Sequence, residues 1–192
     1  MSDLLQEEIY AIYTLPILLV ILLLVWLVYR RSTAKGLTLS NVLNDIAYER
    51  VDGLVIPNVD EGEIQIDHLL LTAQGLVIID IKEVHGAVFG SDKMQDWTVI
   101  SNDRRFTFTN PQPALFDRIA AVRHIVRQVP VAGRILFLDG AEFTKGVPGL
   151  VSTLQELRDE FGDTDKSAAK IKIEAFRQHW EALNARALHA PK

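Results

Sequence analysis

IDHLLLTAQGLVIIDIK, Ile66 to Lys82, decides the reading of this chain. Two apolar runs flank the turn-forming Thr72-Ala73-Gln74-Gly75, so the stretch reads as a buried β-hairpin. Three charges interrupt it: Asp67, Asp80 and Lys82. Charge inside an apolar hairpin is unfavourable unless something pairs with it. Side chains alternate along a strand, which puts Asp67, Leu69 and Leu71 on one face of the first arm. Ile78, Asp80 and Lys82 share one face of the second. A two-residue turn at Ala73-Gln74 sets Asp67 opposite Asp80, and one at Gln74-Gly75 sets it opposite Lys82. Both gather the three charges on one face, whereas an odd-length loop through Gly75 separates them. Two carboxylates side by side on an apolar surface repel. A hard divalent cation, Mg²⁺ or Mn²⁺, resolves that conflict, with Lys82 close enough to assist. The competing reading is an exposed strand end at which Asp80 and Lys82 face water.

The surroundings narrow the class. The 192 residues are 48% hydrophobic and 23% charged, suiting one globular domain plus an apolar segment. There is no cysteine, which excludes disulfides, thiolate zinc sites and a cysteine nucleophile. The net charge of −5 excludes an overall basic footprint, so nucleic acid would have to be met by a local patch or through a metal ion.

Residues 9–29, IYAIYTLPILLVILLLVWLVY, carry no charge. That is about the ~20 residues a helix needs to cross a bilayer. Tyr10, Tyr13, Trp26 and Tyr29 lie towards the two ends, where interfacial aromatics belong. A cleaved signal peptide fits less well, because an acidic segment precedes the run and no small-residue cleavage site follows. Asp3, Glu7 and Glu8 lie before the span and Arg30, Arg31 and Lys35 after it. The positive-inside rule then predicts a single-pass protein of the inner (cytoplasmic) membrane. Residues 1–8 form an outer tail, residues 30–36 a linker, and the remainder a cytoplasmic domain.

Within that remainder, Leu37 to Arg50 is predicted helical, with Gly53 breaking it before a strand from Leu54 to Val59. GAVFGS, DWTVISN and RRFTFTN read as short strands after the hairpin. Pro113 to Gln128 is an amphipathic helix with Leu115, Ile119, Val122 and Val126 inward, and Arg118, Arg123 and Arg127 outward. Gly133 to Gly140 is a buried strand. Ser152 with Gln155 suggests a capping box for a helix ending at Phe161-Gly162. Lys166 to Leu188 is a last helix. The order predicts a mixed α/β sandwich with a helix-flanked sheet.

Ile66-Asp67-His68, Gly75 followed by Asp80-Ile81-Lys82, Gly86 to Gly90, Trp97, and Phe106 to Pro111 together resemble the NERD (nuclease-related) domain. The resemblance implies a domain at residues 37–130, with residues 131–192 completing or capping it. It implies a PD-(D/E)xK nuclease-like core of helix, three-stranded meander, helix and strand. It also implies that Asp67, Asp80 and the Ile81 carbonyl hold Mg²⁺ (or Mn²⁺), while Lys82 positions or activates water and stabilises charge on phosphate. The implied reaction is metal-dependent hydrolysis of nucleic acid, DNA ahead of RNA. The chain departs from the family in three places. Asp80 stands where many members have glutamate, a shorter but chemically equivalent acid. Ser40 stands near where a helix acid is expected, with Asp45 and Glu49 poor substitutes. Gln112 directly follows Pro111, where a glutamine three positions beyond the proline is usual. These departures leave a second reading open: a membrane-tethered nucleic-acid- or protein-binding module with degraded chemistry. His68 and Trp97 read as structural. Arg104, Arg105, Arg118, Arg123 and Arg127 offer either a phosphate-contacting patch or a solvated surface.

Overall fold

The computed structural model describes residues 20–24, 26, 37–58, 62–102, 104–138, 140–162 and 166–189. The chain divides into two units, Met1–Thr38 and Leu39–Lys192. In the first, the described residues Val20–Leu24 and Trp26 are helical, with exposed side chains. The membrane span expected at residues 9–29 otherwise lies outside the described residues, as do the tail and most of the linker. Among the described residues no helix is long and apolar enough to cross a membrane.

The second unit is mixed α/β, with two mixed sheets flanked by helices. Its main sheet contains β1 (Glu49–Asn58), β2 (Gly62–Thr72), β3 (Gly75–Lys82), β7 (Val131–Phe137), β9 (Val151–Ser152) and β10 (Leu188–His189), in the order β10-β1-β2-β3-β7-β9. The first three strands form an antiparallel meander, and β7 joins β3 in parallel. Helix α1 (Leu39–Ile46) precedes the meander, and α2 (Pro111–Ile125) connects towards β7. For the main sheet this is the helix, three-stranded meander, helix and strand order that the family resemblance implied.

The two faces of the sheet bury different sets. Leu69, Leu71, Leu76 and Ile78 pack with Leu115, Ile119 and Val122 of α2. Gly133 of β7 makes this close approach possible, since a Cβ there would lie 2.8 Å from Leu115 Cδ1 and 2.9 Å from Ile119 Cδ1. On the other face Arg134, in register with Ile79, pairs with Glu160 and stacks on Phe161 of α3 (Leu154–Phe161). Helix α1 packs against α3 through its buried Val42, Leu43 and Ile46 side. The last helix, α4 (Lys166–Arg186), adds Ile173, Trp180 and Leu183 to the α2-side core. Its Trp180 Nε1 and Arg177 Nη1 donate to the Glu49 carboxylate at 2.7 and 2.5 Å.

The second sheet, in the order β6-β5-β4-β8, contains β4 (Gly86–Phe89), β5 (Asp96–Ser101), β6 (Arg104–Thr109) and β8 (Ala141–Phe143). Trp97 anchors it. The fully buried indole meets Phe108, Phe137 and Phe143 at ring-centroid distances of 6.1, 6.0 and 6.0 Å. Phe137 belongs to the main sheet, so this cluster joins the two sheets beside the end of β3.

Several boundaries differ from the sequence reading. The first helix ends at Ile46, because Tyr48 N and the Glu49–Leu71 pairing draw the next residues into β1. Gly53 does not break the chain, since pairing runs through it from Asp52–His68 to Leu54–Ile66. Thr153, not Ser152, caps α3 in a reciprocal box with Glu156. Ser152 is held in β9 opposite Leu136. The last helix stops at Arg186, and Leu188–His189 pairs with β1 instead.

The hairpin turn is the two-residue Ala73-Gln74, with Thr72 paired to Gly75. Gly75 has φ +126°, a region L side chains rarely adopt, and a Cβ there would run into the Pro130 carbonyl oxygen. Leu76 N already uses that oxygen at 2.9 Å. Gly75→Ala is therefore expected to destabilise the domain by at least ~2 kcal/mol, read from the urea midpoint, since strained backbone alone costs about 1–3 kcal/mol. An unchanged midpoint would contradict this turn.

Candidate active site

The register follows from the turn. His68 faces Ile79, and the same antiparallel register carried one pair further sets Asp67 against Asp80. Of the alternatives left open by the sequence, this is the turn at Ala73-Gln74. Asp67, Asp80 and Lys82 consequently share the face that α2 covers, at the end where β3 leaves the core. The first six residues of β3 are buried and Ile81 and Lys82 only partly so.

Asp80 is the centre of the cluster and is only 2% exposed. Its Oδ2 lies 3.2 Å from Lys82 Nζ and 3.5 Å from Arg118 Nη1. Its Oδ1 is buried and accepts no hydrogen bond from the protein. Asp67, half-buried beside it, has its carboxyl held above the usual carboxylate range. Burial is the main cause, and the neighbouring Asp80 carboxylate adds to it. Lys82 and Arg118 oppose the shift.

This has a sign that can be tested. A carboxyl with a raised pKa in the fold binds protons there that the unfolded chain has already lost. Stability then falls as pH rises from the ordinary carboxylate pKa to the raised one. Asp67→Asn removes that dependence. At neutral pH and without divalent cations, the variant is expected to be more stable by about 0.2–1 kcal/mol, the scale of a cross-strand like-charge pair. The gain should shrink through that window as pH falls and vanish below it. A variant less stable than the parent in thermal melts at pH 7.5 would contradict the repulsion.

The residues fit a cation in part. Two carboxylates lie side by side, one has an oxygen without a donor, and the Ile81 carbonyl lies between Asp80 and Lys82 in sequence. Against this, no group of three or more His, Asp or Glu side chains that could hold a metal occurs among the described residues. The acids near the first helix do not join. Asp45 pairs with Arg158 at 3.5 Å, and Glu49 is committed to Arg177 and Trp180. Glu49 pairs with Leu71, about 13 Å along the sheet from Asp67 at the usual rise per residue. Ser40 is exposed on α1.

Other candidates resolve into structural roles. His68 Nδ1 sits 2.6 Å from Asp52 Oδ1 on the opposite face of the sheet. Asn110 caps α2, its Oδ1 accepting from Gln112 N at 3.0 Å, and Pro111 opens the helix. Gln112 is buried, and its Oε1 accepts from Leu150 N at 3.3 Å.

Arg118 is the residue the sequence reading placed wrongly. It turns inward, Nε donating to the Gln65 carbonyl at 2.7 Å and Nη1 reaching Asp80. Arg123 also folds back, donating to the Val131 carbonyl at 2.7 Å. The signal was present. Arg118 follows Leu115 by three and precedes Val122 by four, on the edge of the buried stripe, where a charge requires a partner. Arg104 and Arg105 are exposed neighbours on β6 and project to opposite faces, so the five arginines do not make one patch.

The main sheet carries an acid on its second strand and an acid-x-lysine triplet on its third, the arrangement that the resemblance implies. The family model of the nuclease-related domain, NERD, matches residues 32–138, and the chain belongs to that family, a PD-(D/E)xK-like one. Among curated proteins it is similar to an uncharacterized protein of Bacillus anthracis, 28% identical over 64 residues. That match covers 33% of this chain and 30% of the relative, so the chain spans about a third of the relative's length. No solved structure matches.

Proposed function

We propose that this is a membrane-anchored, metal-dependent phosphodiesterase acting on DNA or RNA from the cytoplasmic side. The observation that carries the reading is the Asp67–Asp80 pair with Lys82 on one face at the end of β3, in a chain of the nuclease-related family. Asp67, Asp80 and the Ile81 carbonyl would hold Mg²⁺ or Mn²⁺. When bound, the cation supplies charge that polarises the phosphodiester and acidifies water. Asp80, buried and fixed by Lys82 and Arg118, orients the ligand set. Lys82 stands 3.2 Å from it, where its ammonium group can hold the attacking water in line and offset charge developing on the phosphate. DNA is the preferred substrate class, on the family resemblance. The uncharged run at residues 9–29 and the exposed apolar side chains at Val20–Leu24 support the anchor, and the basic residues after it support the orientation.

A second reading is a tethered binding module without turnover. It is favoured by the two cations already on Asp80 and by the absence of a third acid among the described residues.

The test incubates the chain from Thr33 onward with end-labelled DNA and RNA, with and without Mg²⁺ or Mn²⁺. Cleavage that needs the cation and stops with chelator is the expected result. Binding without cleavage of any substrate would favour the module.

A further inference from the structure

Arg118 is tied to the backbone more tightly than to the carboxylate. Its Nε–Gln65 contact is 2.7 Å, its Nη1–Asp80 contact 3.5 Å, and its side chain is 21% exposed. The close seating of α2 over Gly133 fixes the helix that carries it. A guanidinium has five N–H donors. Two are used here, and the rest have no protein partner among the described residues. The site therefore holds a fixed positive charge with spare donors, at a carboxylate that would also ligate a divalent cation. The first property opposes a cation, and the second suits a phosphate oxygen.

We propose that Arg118 couples cation loading to phosphodiester binding. It weakens cation binding at Asp67 and Asp80 until a phosphodiester oxygen takes up its free donors. This rests on the cation-site reading above. Without substrate the charge on Asp80 is offset by Arg118 and Lys82, so a dication enters an already neutralised cluster. A phosphodiester adds a negative charge and restores the attraction. By reciprocity, the cation then strengthens binding of the nucleic acid by the same factor.

The experiment is calorimetric titration of Mn²⁺ into the full chain in detergent, with and without a phosphorothioate oligodeoxynucleotide. Mn²⁺ binding to the oligonucleotide alone is subtracted. The oligonucleotide should tighten Mn²⁺ binding to the parent protein by about 5- to 150-fold, the usual span of such coupling. Arg118→Gln keeps a donor for the Gln65 carbonyl but removes the charge. It should bind Mn²⁺ more tightly on its own and lose most of the oligonucleotide effect. Arg118→Lys keeps the charge and should retain the parent's weak binding of Mn²⁺ alone. Equal Mn²⁺ affinity in parent and Arg118→Gln, or no tightening of the parent by oligonucleotide, would overturn the coupling and leave the cation site standing. No Mn²⁺ binding by parent or variants would overturn the cation site and the coupling with it.

Discussion

Lys82→Ala is expected to reduce cation-dependent cleavage by about 10²–10³-fold, the scale of losing one preorganised charge from a reacting centre. The variant should keep its fold, because Asp80 retains Arg118 at 3.5 Å. Asp80→Asn should lose at least as much activity. It would remove a ligand of the proposed cation site and leave Lys82 and Arg118 without their shared partner, so some stability goes too. Comparing the variants separates chemistry from folding. Rates come from initial cleavage of labelled substrate, and folding from circular dichroism on the same samples. A Lys82→Ala protein that cleaves at the parental rate would remove Lys82 from the reaction. Full activity in both variants would remove the site altogether.

The second large effect is structural. Trp97→Ala is expected to destabilise the domain by about 3–5 kcal/mol, the usual range for deleting a fully buried aromatic. Phe108 lies within the second sheet on β6, Phe143 on β8, and Phe137 on β7 of the main sheet. Removing the indole would open a void between the two sheets. Phe137 is the register partner of Lys82, so the loss should reach the Asp80–Lys82 end of β3 as well. Trp97→Phe should cost less in urea unfolding. A loss below about 1 kcal/mol for the alanine variant would contradict a core position, since only exposed sites are so tolerant.

The hairpin was legible because its information is local. Alternation with period two assigns the faces, and the short Ala73-Gln74 turn sets the register. From those alone, Asp67 opposite Asp80 was one of two outcomes that joined the charges. The strands of the second sheet were also legible one by one. Their grouping was not, because it depends on β4 pairing in parallel with β8, far along the chain. No period in either segment encodes that. The end of the first helix was misread because Ala47 to Arg50 continue a helical pattern, while Glu49–Leu71 pairing and the Glu49 bonds to Arg177 and Trp180 favour a strand. The cap of α3 slipped by one residue because Ser152-x-x-Gln155 and Thr153-x-x-Glu156 satisfy the same rule. Burial of Ser152 in β9 chooses between them. Arg118 was assigned outward by its charge, and the nearby Asp80 and Gln65 carbonyl reverse that assignment.

The central claim is that Asp67 and Asp80 form a divalent-cation site. Paramagnetic broadening by Mn²⁺ in amide NMR spectra of the chain tests it most directly. The amides of Asp67, Asp80, Ile81 and Lys82 should broaden first, at the lowest Mn²⁺ added, and Asp80→Asn should abolish that selectivity. Broadening that begins elsewhere, or that is unchanged in Asp80→Asn, would contradict the claim.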